Sequence, residues 1–281
     1  MKHLTLIILF PLLFIGNIFS QNVLDAVYVK ETNPTRLPFT YPFLGEKDVM
    51  WSKRIWRVID LNEKINLPLK YPLTKQTTDR RNLIDVLMDA IQEGNLTAYS
   101  FIDDEFTLPM TYAEILSRGG ARIDTIQIPQ PDPPYALIDT VIPRDFSRDK
   151  VIGFRIKEDW FFDKQLSEMK VRIIGIAPMI YAFDEAGNIR EGNLKMPLFW
   201  VYYPDARQLL SKSDVFNQQN NAQRLTFDDV FQNRLFGSYI YKESNVYDRR
   251  IEDFKTGLSA LLESEKIKDL ITNFEHDMWE F

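Results

Sequence analysis

The chain has 281 residues with 34 basic and 40 acidic side chains, a net charge of −6. That balance excludes the basic face that nucleic acid phosphates require and disfavours direct docking on anionic lipid. Cysteine is absent and histidine occurs only twice, so disulfides, thiolate catalysis and thiolate metal sites are excluded.

Met1-Lys2-His3 gives a positive start, and Leu4 to Ile15 is an apolar run broken only by Thr5 and Pro11. The run is well short of the ~20 residues of a spanning helix, and with Ser20 before Gln21 it predicts a cleaved secretory signal over residues 1–20. The mature chain then keeps a single histidine, His276, and no later stretch is apolar enough to insert in a membrane. Without a cysteine at the cleavage point the chain carries no lipid of its own, so any hold on a membrane comes through a partner.

Residues 21–45 show no sustained period. Pro34, Pro38 and Pro42 recur there with Phe39, Tyr41 and Phe43, which predicts an extended arm because proline biases its predecessor away from helix. Such an arm is either a strap on its own domain or a contact onto a neighbour.

Residues 46–281 read as a single α+β domain. Trp51, Ile55, Val58 and Ile59 predict a helix over Glu46 to Leu61, with Lys53, Arg54 and Arg57 on its wetter side. A second helix is expected over Asp79 to Glu93, capped by Thr78 and ended at Gly94, and Thr111 to Glu114 fits a capping box on a short helix stopped by Gly119-Gly120. Pro129 to Pro134 holds four prolines in six residues and is the clearest linker candidate.

Beyond it the period shifts towards two. Val151 to Phe162, Met169 to Phe183 and Leu198 to Tyr203 predict mainly antiparallel strands, with a turn at Asp184 to Asn188. The last third returns to helix, one segment around Phe227 to Phe231, one from Ile251 to Leu262 and one from Ile267 to Met278. Helices flanking a central group of strands define an α+β arrangement.

Reactive groups are few. Glu275-His276-Asp277 places consecutive residues on different sides of a helix, where they cannot share one metal ion. No G-x-S-x-G turn, Walker loop or G-x-G-x-x-G is present. Paired carboxylates remain as a second reading, because a glycosidase needs only two acids a few ångströms apart. Asp159 and Asp163 flank Trp160-Phe161-Phe162, and Asp103-Asp104-Glu105 is the other candidate. A third reading, a solute-binding protein, requires a deep two-lobed cleft.

Five strings stand out together. They are Lys47 to Leu61 (KDVMWSKRIWRVIDL), Ile156 to Gln165 (IKEDWFFDKQ), Pro197 to Pro204 (PLFWVYYP), Thr226 to Phe231 (TFDDVF) and Gly237 to Arg249 (GSYIYKESNVYDR). In this order they resemble the signatures of the gliding-motility GldN family, also called PorN. The resemblance implies a periplasmic structural component of the type IX secretion system of Bacteroidetes. Such a component pairs with an outer-membrane lipoprotein of the GldK or PorK type in a ring and is engaged by the motor protein GldM or PorM. It implies no catalytic residue, cofactor or metal. Rings need two different faces on each subunit. The arm residues Phe39, Tyr41 and Phe43, with the charged Lys53, Arg54, Arg57 and Lys164, are the expected partner contacts. The arm is expected to lie on a partner.

Overall fold

The structure is a computed structural model. It describes residues 36–74, 81–102, 104–129, 137–144, 146–184, 188–217, 220 and 223–279. The expected signal peptide, residues 21–35 of the arm, Thr78 and most of the proline run lie outside the described residues. The chain from Thr35 to Phe281 forms one compact unit.

An antiparallel sheet organises it, which agrees with the α+β expectation. Strand β1 (Val49–Asp60) lies between β6 (Gly153–Asp163) and β12 (Tyr239–Glu243). Strand β6 pairs next with β7 (Glu168–Tyr181), and that edge continues through β9 (Trp200–Tyr202), β2 (Ala98–Tyr99) and β3 (Pro109–Met110), with β8 (Lys195–Pro197) also on β7.

The helix expected over Glu46 to Leu61 is therefore corrected to strand β1, preceded by one 3-10 turn at Glu46–Asp48. The register supplies the reason. Trp51, Lys53, Ile55, Arg57 and Ile59 alternate with Ser52, Arg54, Trp56 and Val58, and Ile55, Trp56, Val58 and Ile59 are all buried. The second half of the strand is covered on both faces and carries apolar residues on both, so its spacings also satisfy a helical count.

The face bearing Ile59, Phe154, Ile156, Ile173 and Ile176 packs into the main core. Helices α2 (Leu83–Gln92), α4 (Tyr203–Leu210) and α5 (Phe227–Gln232) supply the other side. Helix α2 starts later than expected. Asn82, whose side chain accepts from the Asp85 N–H at 2.7 Å, is its cap, and Gly94 at φ +75 follows its end. A one-turn helix α1 (Leu67–Lys70) precedes it. The Thr111–Glu114 capping box is present on α3 (Tyr112–Arg118). Pro204 sits in the first turn of α4, where its missing N–H costs nothing.

The first proline of the proline run, Pro129, is the last residue of a strand. β4 (Arg122–Pro129) and β5 (Leu137–Arg144) are antiparallel from Arg122 opposite Arg144 to Pro129 opposite Leu137, and form their own two-stranded sheet. A further small pair is β10 (Asp214–Val215) with β11 (Leu225–Thr226).

The two C-terminal helices expected from the sequence are one. After a 3-10 turn at Ile251–Asp253 and Gly257 at φ +55, helix α6 runs unbroken from Leu258 to Trp279. It buries Ser264, Ile267 and Ile271 against Ile55 and Ile240, and Phe274 stacks on Trp51 at 4.8 Å. The Ile240 N–H, on the outer edge of β12, donates to Ser264 Oγ at 3.0 Å.

Candidate functional site

Residues 36–45 form a strap across α4 and α5. Arg36 makes a bidentate bond to Asp229 at 2.8 Å to each oxygen, and its carbonyl accepts from Ser211 Oγ at 3.2 Å. Asp229 is already the third residue of the α5 capping box with Thr226, so one carboxylate fixes both the helix start and the strap. The Tyr41 hydroxyl accepts from Gln232 Nε2 at 2.6 Å, and its ring lies between the guanidiniums of Arg207 at 4.2 Å and Arg172 at 4.9 Å. Arg172 also donates to the Pro42 carbonyl at 2.8 Å.

Of the two readings of the arm, the described part is a strap on its own domain, and Tyr41 is spent inward. Phe39 and Phe43 point the other way, 75% and 95% exposed, and Leu37 joins them. Water-exposed phenylalanines on a fastened strap are a ready apolar contact.

Beneath the strap, Tyr203 is fully buried and donates to Asp228 Oδ1 at 2.9 Å, and Arg207 holds the same carboxylate at 3.1 and 3.2 Å. Burial raises the pKa of the Tyr41, Tyr203 and Tyr239 hydroxyls above its ordinary value, and pushes that of Tyr241 up to about 12. Above about pH 10 the unfolded chain releases these protons while the folded chain keeps them. The stability is thus fully present below about pH 10 and is lost as pH climbs towards 12, by about 2–3 kcal/mol from Tyr241 alone. Denaturant midpoints measured stepwise across that window check the slope, which Tyr241→Phe makes shallower.

Three of the charged candidates form cross-strand pairs. Lys53 meets Glu243 at 2.6 Å, and Arg54, directly opposite Asp159, binds it through two bonds of 2.7 and 2.8 Å. Arg57 was expected on a wet surface, yet it is 7% exposed, with Nε 2.5 Å from Glu158 Oε1. The correction follows from the strand: its alternation turns Arg57 to the same face as Ile55 and Ile59. Lys164 sits at the β6–β7 turn, its N–H donating to the Asp48 carbonyl at 2.9 Å. The structure does not bring these four residues and the strap into one site.

The carboxylate reading loses its geometry. Asp159 and Asp163 are four residues apart on one strand, about 13 Å by strand rise, beyond the roughly 5–9.5 Å of glycosidase pairs. Asp163 is buried and accepts from the N–H groups of Gln165 and Leu166. Asp104 is bonded by the Trp56 indole and lies 3.5 Å from the Lys157 ammonium. Asp103 lies outside the described residues. Among the described residues no group of three His, Asp or Glu side chains is placed to hold a metal ion.

A second apolar surface escaped the sequence reading. Val246, Tyr247, Leu258, Leu261 and Leu262 are exposed, and the Arg249 guanidinium lies over both Tyr247 at 4.9 Å and Phe254 at 4.4 Å. Leu261 also borders an apolar cavity of about 410 Å³ with Ile240, Tyr241 and Ile251. The three leucines share the helical spacing that predicted a helix there. The signal that separates them is the stripe Ser264, Ile267 and Ile271, which already fills the inward side of α6.

The molecule thus carries two exposed apolar surfaces on different elements, and candidate acids such as Asp159 and Asp163 are held in an ion pair and in turn bonds. The chain matches the family described as Gliding motility associated protein GldN over residues 44–280, and it belongs to that family. No curated protein matches it.

Proposed function

We propose that this chain is a structural subunit of the type IX protein secretion machinery of Bacteroidetes, working in the periplasm. In this reading it forms a ring with an outer-membrane lipoprotein of the GldK or PorK type and is engaged by the GldM or PorM motor protein. Membership of a gliding-motility family over residues 44–280 is the observation that carries the reading. The two exposed apolar surfaces support it further, since a ring subunit must present one face to a different face of its neighbour. The chain acts without catalysis, which suits a sequence with no cysteine and two histidines.

Co-expression of the full chain with the lipoprotein is expected to give a stable complex that co-migrates in size-exclusion chromatography. Replacing Phe39 and Phe43 together by serine is expected to weaken that complex by about tenfold or more while changing folding stability by only about 0.5 kcal/mol. Separate migration of the two wild-type proteins, or turnover of a cell-wall substrate, would refute the reading.

A further inference from the structure

A cavity of about 370 Å³ opens between α6, the sheet and the segment after α5. Its wall carries the cations Arg57, Arg234 and Lys268, the hydroxyls of Ser238 and Thr272, and the indole of Trp160, and no acidic residue lines it among the described residues. Glu158 lies beneath, fully buried, and is the carboxylate that both arginines share. Arg57 approaches it at 2.5 Å, Arg234 at 2.9 Å and Trp160 Nε1 at 2.8 Å.

The charge is out of balance. Two guanidiniums, one more than nine-tenths buried, contact a single carboxylate, and Glu265, the other acid that acts on Arg57, does so only through space. Glu158 and Ser238 take fewer than half of the two guanidiniums' N–H donors. Burial, followed by the charge of Arg234 opposing that of Glu158, leaves the Arg57 guanidinium below its ordinary value. Both arginines are held in place, lying over the Trp160 ring at 5.8 and 5.3 Å, with Arg234 at φ +53. Lys268 adds a third, more exposed cation, 3.5 Å from Glu265 on its own helix.

We propose that this cavity is a binding site for a second carboxylate, presented on an aliphatic stem that packs on Phe236 and Ile271. Arginine binds carboxylate by parallel N–H bonds that a buried, preorganised pair strengthens. The carboxylate belongs either to an acidic side chain of a protein or to a small free acid. The site stands independently of the secretion reading, since it follows from the charges alone.

The test titrates the full chain with a short peptide holding one central glutamate, with its glutamine counterpart, with glutarate and with sodium chloride, by calorimetry and thermal shift. Saturable binding of the glutamate peptide or of glutarate is expected, and none of the glutamine peptide. A preference for the peptide identifies a protein side chain as the source, and a preference for glutarate identifies a free acid. Arg234→Gln is expected to weaken binding about tenfold or more, and Lys268→Gln about twofold to fivefold. Thr272→Glu, which offers the cavity a carboxylate of its own, is expected to raise the melting temperature above that of Thr272→Gln and to abolish binding. Equal binding of both peptides, chloride acting as well as the carboxylates, or a Thr272→Glu chain no more stable than Thr272→Gln would overturn the assignment.

Discussion

Glu158→Ala is expected to destabilise the fold by about 3–5 kcal/mol, enough to leave a measurable unfolded fraction at mild denaturant concentration. The cost comes from what remains. Arg57 stays inside the sheet's buried face with its partner gone, and Arg234 and the Trp160 indole lose the acceptor they share. A neutral acceptor repairs only part of this, so Glu158→Gln is expected to fall between Glu158→Ala and the wild type. The double change Arg57→Met with Glu158→Leu removes the charge that Glu158 neutralises most closely and is expected to recover much of the loss. Urea unfolding of the four proteins measures the series. A Glu158→Ala chain as stable as the wild type would show that the cluster contributes nothing to folding.

The second large effect is expected at Phe154. Its ring is fully buried on β6, opposite Ile59 and Pro178, at the centre of the main core. Phe154→Ala removes the ring and leaves a cavity, at a cost of about 3–5 kcal/mol, whereas Phe154→Leu keeps most of the volume and costs less. The exposed Phe43 is the internal control, since Phe43→Ala has no packing to lose and is expected to shift stability by about 0.5 kcal/mol at most. Chemical denaturation with the three variants separates core from surface. Equal losses at positions 154 and 43 would refute the packing argument.

Local chemistry made much of the architecture readable. The capping box at Thr111, the glycine after Gln92-Glu93 and the β-branched and aromatic runs of β6 and β7 all declare themselves within a few residues. What was misread depends on partners distant in the chain. Strand β1 looked helical because the groups that cover the two faces of its second half, Ile267 and Ile271 on one side and Tyr99 and Phe106 on the other, lie far away in the chain. Arg57 looked solvated because Glu158 is invisible as a partner until the register is known. The leucines at 258, 261 and 262 were legible as helix but not as surface, because periodicity reports an apolar face but not whether anything covers it. The strap illustrates the same limit. Its prolines announced an extended segment, and only the acid, amide and arginine groups of α4, α5 and β7 select the side on which it lies.

Helix α6 has a consequence for how copies of this chain can meet. Strand β12 ends the sheet, and an open strand end of this kind is a template on which another chain can add its own backbone without limit. Ser264 occupies one of those backbone groups and the helix shields the row beside it. Neighbours arriving at this border therefore find side chains rather than unpaired amides, so contact there depends on matched shapes.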